Sequence, residues 1–263
     1  WDDDEDEFIE LQNITAQPVN LYDAASPTNT WILRGGADFN FPTNVTLPPQ
    51  GYLLVVGFNP VENAAQLRAF RDRYRLDANT PILGPYAGKL DNSAAAIRLL
   101  KAGEREPPKG AEAGDVPHIL VDVVEYGDEA PWPPGADGLG LSLQRLDAAR
   151  YGNDPVSWTA AVPTPGSLNK RGTPPVIASQ PVGLAVRSGA SAVFSVQAGG
   201  AGAISYQWRF GGANIRGATN SSLTLSNVNL SAAGEYVVVV LNADSSVASQ
   251  PALLTVLPSA TIT

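Results

Sequence analysis

At 263 residues the chain is long enough for two domains of ordinary size, and 44% apolar residues suffice for real cores. Its 26 acids against 17 Lys and Arg leave a net charge of −9, which argues against binding nucleic acid through clustered basic residues. Zero cysteines exclude disulfides, thiolate nucleophiles and cysteine-ligated zinc.

The charge is uneven. Residues 1–173 hold 24 acids and 14 Lys/Arg, whereas residues 174–263 hold 2 acids and 3 Arg. An acidic first half is compatible with divalent cations or basic partners. With 22 Pro and 25 Gly, the composition fits an all-β protein with many turns. No apolar run approaches the roughly 18 residues that span a bilayer. There is no signal peptide, and no methionine even at position 1, so the chain reads as part of a longer exported product.

In chain order, Phe8–Leu11 predicts a strand entering a core, Gln17-Pro18 a turn, and Val19–Leu21 a resumption of that strand. Trp31–Leu33 predicts another strand before a Gly35-Gly36 turn. Pro48–Gly51 is a turn signal that feeds Tyr52–Val56, a continuous apolar run typical of a buried strand. Asn59 can cap a helix with Pro60 at its first position. Leu67, Phe70 and Tyr74 then follow helical spacing and predict an apolar stripe on a sandwich. Ala95–Leu100, Ile119–Tyr126 and Leu141–Leu146 read as strands, and the polar stretch Lys101–Val116 as a long surface loop.

Lys170 to Thr173 lead into Pro174-Pro175, so residues 170–175 read as a short stiff linker between a domain at 1–169 and another at 176–263. Beyond it, Ala192, Phe194, Val196 and Ala198 alternate onto one face. Ile204–Arg209 predicts a strand with Trp208 inward, followed by strands at Ser222–Leu225, Gly234–Asn242 and Ala252–Leu257. Strands at this spacing, separated by Gly, Asn and Ser, predict a sandwich.

Several ordered motifs of the first domain resemble the lamin tail domain in its bacterial secreted form. They are Asp6–Asn13, Gln17–Leu21, Thr46–Val56, Gly88–Ser93 with Ile97–Leu99, Asp137–Arg145 and Pro163–Asn169. The resemblance implies an immunoglobulin-like β-sandwich there too. The second domain resembles a bacterial immunoglobulin-like repeat, through Tyr206-Gln207-Trp208, Leu223–Val228 and Ala233–Val238. It places Val196 and Val238 where an antibody-type domain has its disulfide, so packing alone must hold the sheets. Tyr236 has the setting of a tyrosine corner, but Ala232 replaces the usual Asp, which predicts a less well tied corner. The expected fold is therefore all-β, with two tandem immunoglobulin-like sandwiches, the first carrying one helix and a long loop.

Asp2, Asp3, Asp4 and Asp6, within a run of six acids from Asp2 to Glu7, are the candidate metal ligands, for calcium. The run lacks the alternating spacing and turn glycine of an EF-hand, and a solvated acidic leader is the competing reading. Asp122, Glu125, Asp128, Glu129 and Asp137 form a second acidic group. A glycosidase needs two carboxylates across one bond, but the odd offset between Asp122 and Glu125 predicts opposite faces of a strand. His118 is the single histidine, and no Gly-x-Ser-x-Gly turn accompanies it. Of the tryptophans, Trp31, Trp158 and Trp208 read as packed; Trp132, between Pro131 and Pro133, is the candidate platform for a glycan. Asn13, Asn44, Asn220 and Asn229 lie in N-x-Ser/Thr sequons.

These features predict no catalytic residues and no cofactor apart from calcium. They describe a non-enzymatic extracellular or cell-surface module used for adhesion, spacing or assembly, with protein partners or self-assembly through sheet edges. The alternative is a calcium- or glycan-binding accessory module of a larger secreted enzyme.

Overall fold

The structure, a computed structural model, describes residues 7–103, 116–136, 138–169 and 173–258. The chain runs through β1 (Phe8–Gln12), β2 (Val19–Asn20), β3 (Ile32–Gly35), β4 (Ala37–Asn40), β5 (Thr46–Leu47) and β6 (Tyr52–Val56). Next come α1 (Ala64–Tyr74), β7 (Ile82–Leu83), β8 (Ala87–Gly88), β9 (Ala94–Ala102), β10 (His118–Gly127), β11 (Ser142–Arg145) and β12 (Trp158–Ala161). The later strands are β13 (Val176–Ser179), β14 (Leu184–Arg187), β15 (Ala192–Ser195), β16 (Gln197–Gly199) and β17 (Ser205–Phe210). They are completed by β18 (Ala213–Asn214), β19 (Ser222–Leu225), β20 (Gly234–Leu241), β21 (Ser246–Ala248) and β22 (Ala252–Leu257). The protein is mostly β, as the sequence predicts.

The residues form two compact units. One draws on Trp1–Gly127, Arg145–Trp158 and Pro163–Asn169; the other on Asp128–Gln144, Thr159–Val162 and Lys170–Thr263.

In the first unit the sheets are β1-β6-β7, β10-β9-β3-β4-β8 and the pair β2-β5. Strand β6 explains its own sequence. Leu53 and Val55 join Leu21, Leu33, Phe41 and Leu47 in the core between sheets, while Leu54 and Val56 join Phe58 and Phe70 on the opposite face. A strand buried on both faces has no need of polar alternation. Each such side chain contributes about 1.5–3 kcal/mol of transfer free energy.

The second layer over β6 is α1. Phe70 is buried, and Leu67 and Tyr74 pack beside it, so the predicted stripe forms. Phe8 meets Phe70 and Tyr74 edge-on, at centroid distances of 5.9 and 5.5 Å. The helix start differs from the expectation at Asn59. Asn59 Oδ1 accepts from the amides of Val61 and Glu62, closing one turn, and the helix begins at Ala64 with Asn63 as its cap. Asn63 Oδ1 accepts from Gln66 N–H at 3.1 Å and its amide donates to Gln66 Oε1 at 2.7 Å. The helix returns the chain to β7, which runs parallel to β6, the crossover geometry that parallel pairing requires.

Other local expectations need correction. Val19–Leu21 does not continue the first strand: β1 pairs with β6, whereas β2 pairs with β5. The Gly35-Gly36 turn, by contrast, falls where the sequence predicts it, between β3 and β4. A Cβ at Gly35, whose φ is +119°, would lie 1.9 Å from the Ala96 carbonyl oxygen, so only glycine fits. Lys101 and Ala102 belong to β9, paired with Ile119 and His118; most of the predicted loop beyond them lies outside the described residues.

In the second unit one sheet runs β14-β22-β20-β17-β18, with β21 on β20, and two pairs, β13-β16 and β15-β19, complete the sandwich. Trp208 and Val238 are fully buried, and Val196 nearly so, in one core. Tyr236 is stacked between Phe194 and Phe210, at 5.0 and 4.8 Å. The Phe194–Tyr236 stack joins a strand of the β15-β19 pair to the larger sheet by packing alone. The Tyr236 hydroxyl donates to the Ala232 carbonyl at 2.9 Å. The corner is thus tied through the backbone of position 232.

Val238, Val239 and Val240 are all buried, although alternate residues face opposite ways. Val238 and Val240 lie in the sandwich core. On the opposite face of the neighbouring strand, Arg209 is buried beneath Asp128–Ala136 of the same unit. Its guanidinium donates to the carbonyls of Asp128 and Pro134 at 3.3 and 3.1 Å, and its Nε to Asn214 Oδ1 at 2.9 Å.

Candidate functional site

The candidate calcium ligands Asp2, Asp3, Asp4 and Asp6 lie outside the described residues. Glu7, the last acid of that run, accepts from the Tyr86 hydroxyl at 3.1 Å. Burial, with the charges of Glu7 and then Asp91, pushes the Tyr126 phenol up to about 12. Among the described residues, no three acidic or histidine side chains converge as a metal site.

The second acidic group is dispersed. Asp122 and Glu125 face opposite sides of β10, as alternation predicts. Asp122 pairs with Arg145 and also accepts the amide of Val123 at 3.0 Å. Glu125 pairs with Arg98 at 2.9 Å, and its amide donates to Asn153 Oδ1 at 2.6 Å. Asp128 offers its carbonyl to Arg209, Glu129 is exposed, and Asp137 lies outside the described residues. His118 is exposed at the start of β10.

Trp208 is core, and its indole N–H donates to the Asn220 carbonyl at 2.9 Å. Trp158 is half-buried, with Nε1 donating to the Gly152 carbonyl at 2.7 Å. Trp31 packs against the first core. Trp132 is also half-buried, in the turn after Ala130-Pro131, with its amide donating to the Glu129 carbonyl at 2.9 Å.

Two polar residues matter more to the first unit than sequence reasoning suggested. Glu10, on the helix side of β1, accepts the Gly166 amide at 2.6 Å. Burial pushes its carboxyl up to about 7, against the opposing effect of that hydrogen bond. Burial, and then the Glu10 charge, also raises the Tyr52 phenol. Asn13 is buried, and its side-chain amide donates to the carbonyls of Gln17, Leu47 and Pro48 at 2.8–3.0 Å. Its Oδ1 accepts from the amide and hydroxyl of Thr15. This sequon asparagine is therefore a structural knot, whereas Asn44, Asn220 and Asn229 are exposed. The signal for Glu10 in the sequence was a lone acid between Ile9 and Leu11.

A concavity beside α1 is lined by Ala64, Leu67, Arg68, Arg71, Asp72, Arg75, Leu76 and Ala78. Arg71 is held by the carbonyls of Asp77 and Thr80 at 2.7 and 2.9 Å.

Residues 174–242 match the family model of the immunoglobulin domain. The chain is 29% identical over 184 residues to endoglucanase C of Cellulomonas fimi, a stretch covering 66% of this chain and 17% of that protein. The chain thus spans less than a fifth of this curated relative. Among solved structures it is similar to the complex of titin M10 with an obscurin-like 1 immunoglobulin domain, at 24% identity and TM-score 0.31, over 33% of this chain and 97% of that one. It is also similar to a twitchin kinase fragment of C. elegans, at 18% identity and TM-score 0.29, over 34% of this chain and 22% of that one.

Proposed function

We propose that this chain is a non-catalytic extracellular module, a lamin-tail-like domain followed by an immunoglobulin-like domain, that spaces or joins parts of a larger protein. One observation carries the reading. The acidic group at 122–137 is dispersed: Asp122 and Glu125, an odd offset apart on β10, are each paired with a different arginine. Retaining and inverting glycosidases alike need two carboxyls flanking one bond. The immunoglobulin match over residues 174–242 supports a binding or structural role, since such a sandwich brings no reaction with it.

A second reading is favoured by the likeness to part of an endoglucanase: an accessory module that holds a secreted enzyme on its substrate, with Trp132 stacking on a sugar and Asp2, Asp3, Asp4 and Asp6 holding calcium. One experiment separates the readings. The purified chain is incubated with insoluble cellulose and other polysaccharides, in calcium and in EDTA, and both retained protein and released reducing ends are measured. Neither retention nor release is the result expected of a spacer. Retention lost in Trp132→Ala or in EDTA establishes the accessory module. Release that disappears in Asp128→Asn or Glu129→Gln overturns both.

A further inference from the structure

Strand β10 is the longest edge strand among the described residues, ten residues at the margin of its sheet. Natural edges are blunted by shortness, charge, bulges or covering segments. The trailing half of β10 is treated this way. The register slips between Leu120 and Asp122, the Val123 amide is taken by the Asp122 side chain, and the Glu125 amide by Asn153. The leading half is not. Ile119, Leu120 and Val121 are 49%, 52% and 44% exposed, three consecutive aliphatic residues with no charge among them.

The hydrogen-bonding phase of this half follows from one contact. Gly103 N–H donates to the Pro117 carbonyl at 2.7 Å, so Pro117 is turned toward β9. In an antiparallel ladder the inward residues alternate. Ile119 is therefore also turned inward, and the amides and carbonyls of His118 and Leu120 point away from β9. Among the described residues nothing caps them. This end of the hairpin also overhangs the sheet, because β3 pairs with β9 no further than Leu100, whereas His118 and Ile119 lie opposite Ala102 and Lys101.

We propose that the leading half of β10 pairs antiparallel with the same segment of a second copy, about a two-fold axis at Ile119. The outward phase fixes this register: His118 of each copy meets Leu120 of the other in a hydrogen-bonded pair. Ile119 meets Ile119 in the closer, non-hydrogen-bonded pair. A self-complementary segment is what a two-fold interface demands. A chain of net charge −9 can approach its own copy most easily along a stretch with no acid in it. The proposal rests on the module reading above and supplies its means of assembly.

The chain has no cysteine, so single-cysteine variants report the register cleanly. Ile119→Cys is expected to give a symmetric disulfide dimer under mild oxidation, because the Cα separation of such a pair suits a disulfide. Val182→Cys, at a site 73% exposed, controls for random collision. Light scattering should show a concentration-dependent dimer whose dissociation constant rises about tenfold or more in Leu120→Lys, with unchanged circular dichroism. Added salt should tighten the dimer by screening like net charges. Equal cross-linking at both cysteines, a dimer indifferent to Leu120→Lys, a dimer that salt dissociates, or a monomer throughout overturns the proposal. The polysaccharide assay is read out by release and retention, so its result stands apart from this one.

Discussion

The Glu10 carboxylate in the first strand accepts the backbone amide of Gly166, 156 residues later, at 2.6 Å. The two residues clasp the closing segment of the first unit to its opening strand. Gly166 has φ +74°, and a Cβ there would come within 3.4 Å of Thr80 and Leu76, so the amide reaches the carboxylate through a conformation that glycine favours.

This clasp predicts an inverted pH response. The Glu10 carboxyl is raised from 4.5 to about 7, so the folded state holds its proton more tightly than the unfolded chain does. Its contribution to stability is full below pH 4.5, falls as pH rises, and is lost by about pH 7. Glu10→Gln keeps an acceptor for Gly166 without the buried charge. It is expected to be about 1–3 kcal/mol more stable than the wild type at pH 8, and nearly equal at pH 4.5. Urea titrations at both pH values check this; equal differences at the two would assign the effect to packing.

The corner in the second unit is tied by the Tyr236 hydroxyl and the Ala232 carbonyl. Tyr236→Phe should cost about 0.5–1.5 kcal/mol. Ala232→Asp should gain little, since the backbone already supplies the acceptor. Chemical denaturation of both variants tests whether the backbone bond replaces the absent side chain.

Asn13 carries five hydrogen bonds from a buried position. Asn13→Ala removes all five of these bonds from a buried position and should cost about 2–4 kcal/mol. Expressed in a host that glycosylates exported proteins, the folded chain should carry sugar at Asn44 or Asn220 before Asn13. Glycopeptide mass spectrometry would show the order, and full occupancy at Asn13 would count against the buried knot.

Val196 and Val238 share one core with Trp208. Replacing both by cysteine should restore the inter-sheet link and raise stability by about 2–4 kcal/mol when oxidised. The comparison is the melting temperature of the oxidised and reduced double variant. A protein that stays reduced under oxidant would show that this sandwich has moved the two positions apart.

Strongly patterned segments were legible from residues alone. Tyr52–Val56, Ser222–Leu225 and Ala252–Leu257 appear as strands with the predicted bounds, and Ala192, Phe194 and Val196 point inward together. Burial of one or both faces writes itself into composition, because every core-facing position must be apolar. The two-residue strands β7 and β18 carry no such pattern, since so short a run shows no period. The helix start moved from Asn59 to Asn63, because two asparagines offer the same capping chemistry and packing of Leu67, Phe70 and Tyr74 chooses between them.

Of the candidate site, the sequence by itself determined chemical limits: no thiol, one histidine, and acids at odd strand offsets. It could not determine which acids are spent. That Asp122 and Glu125 bind separate arginines, that Glu10 is buried against Gly166, that Asp128–Ala136 covers Arg209, and that Ile119 to Val121 are half-exposed all depend on long-range pairing. Local patterning records whether a side chain is buried, because burial selects for apolarity residue by residue. It does not record which distant group a polar atom meets; that is decided when the sheets close.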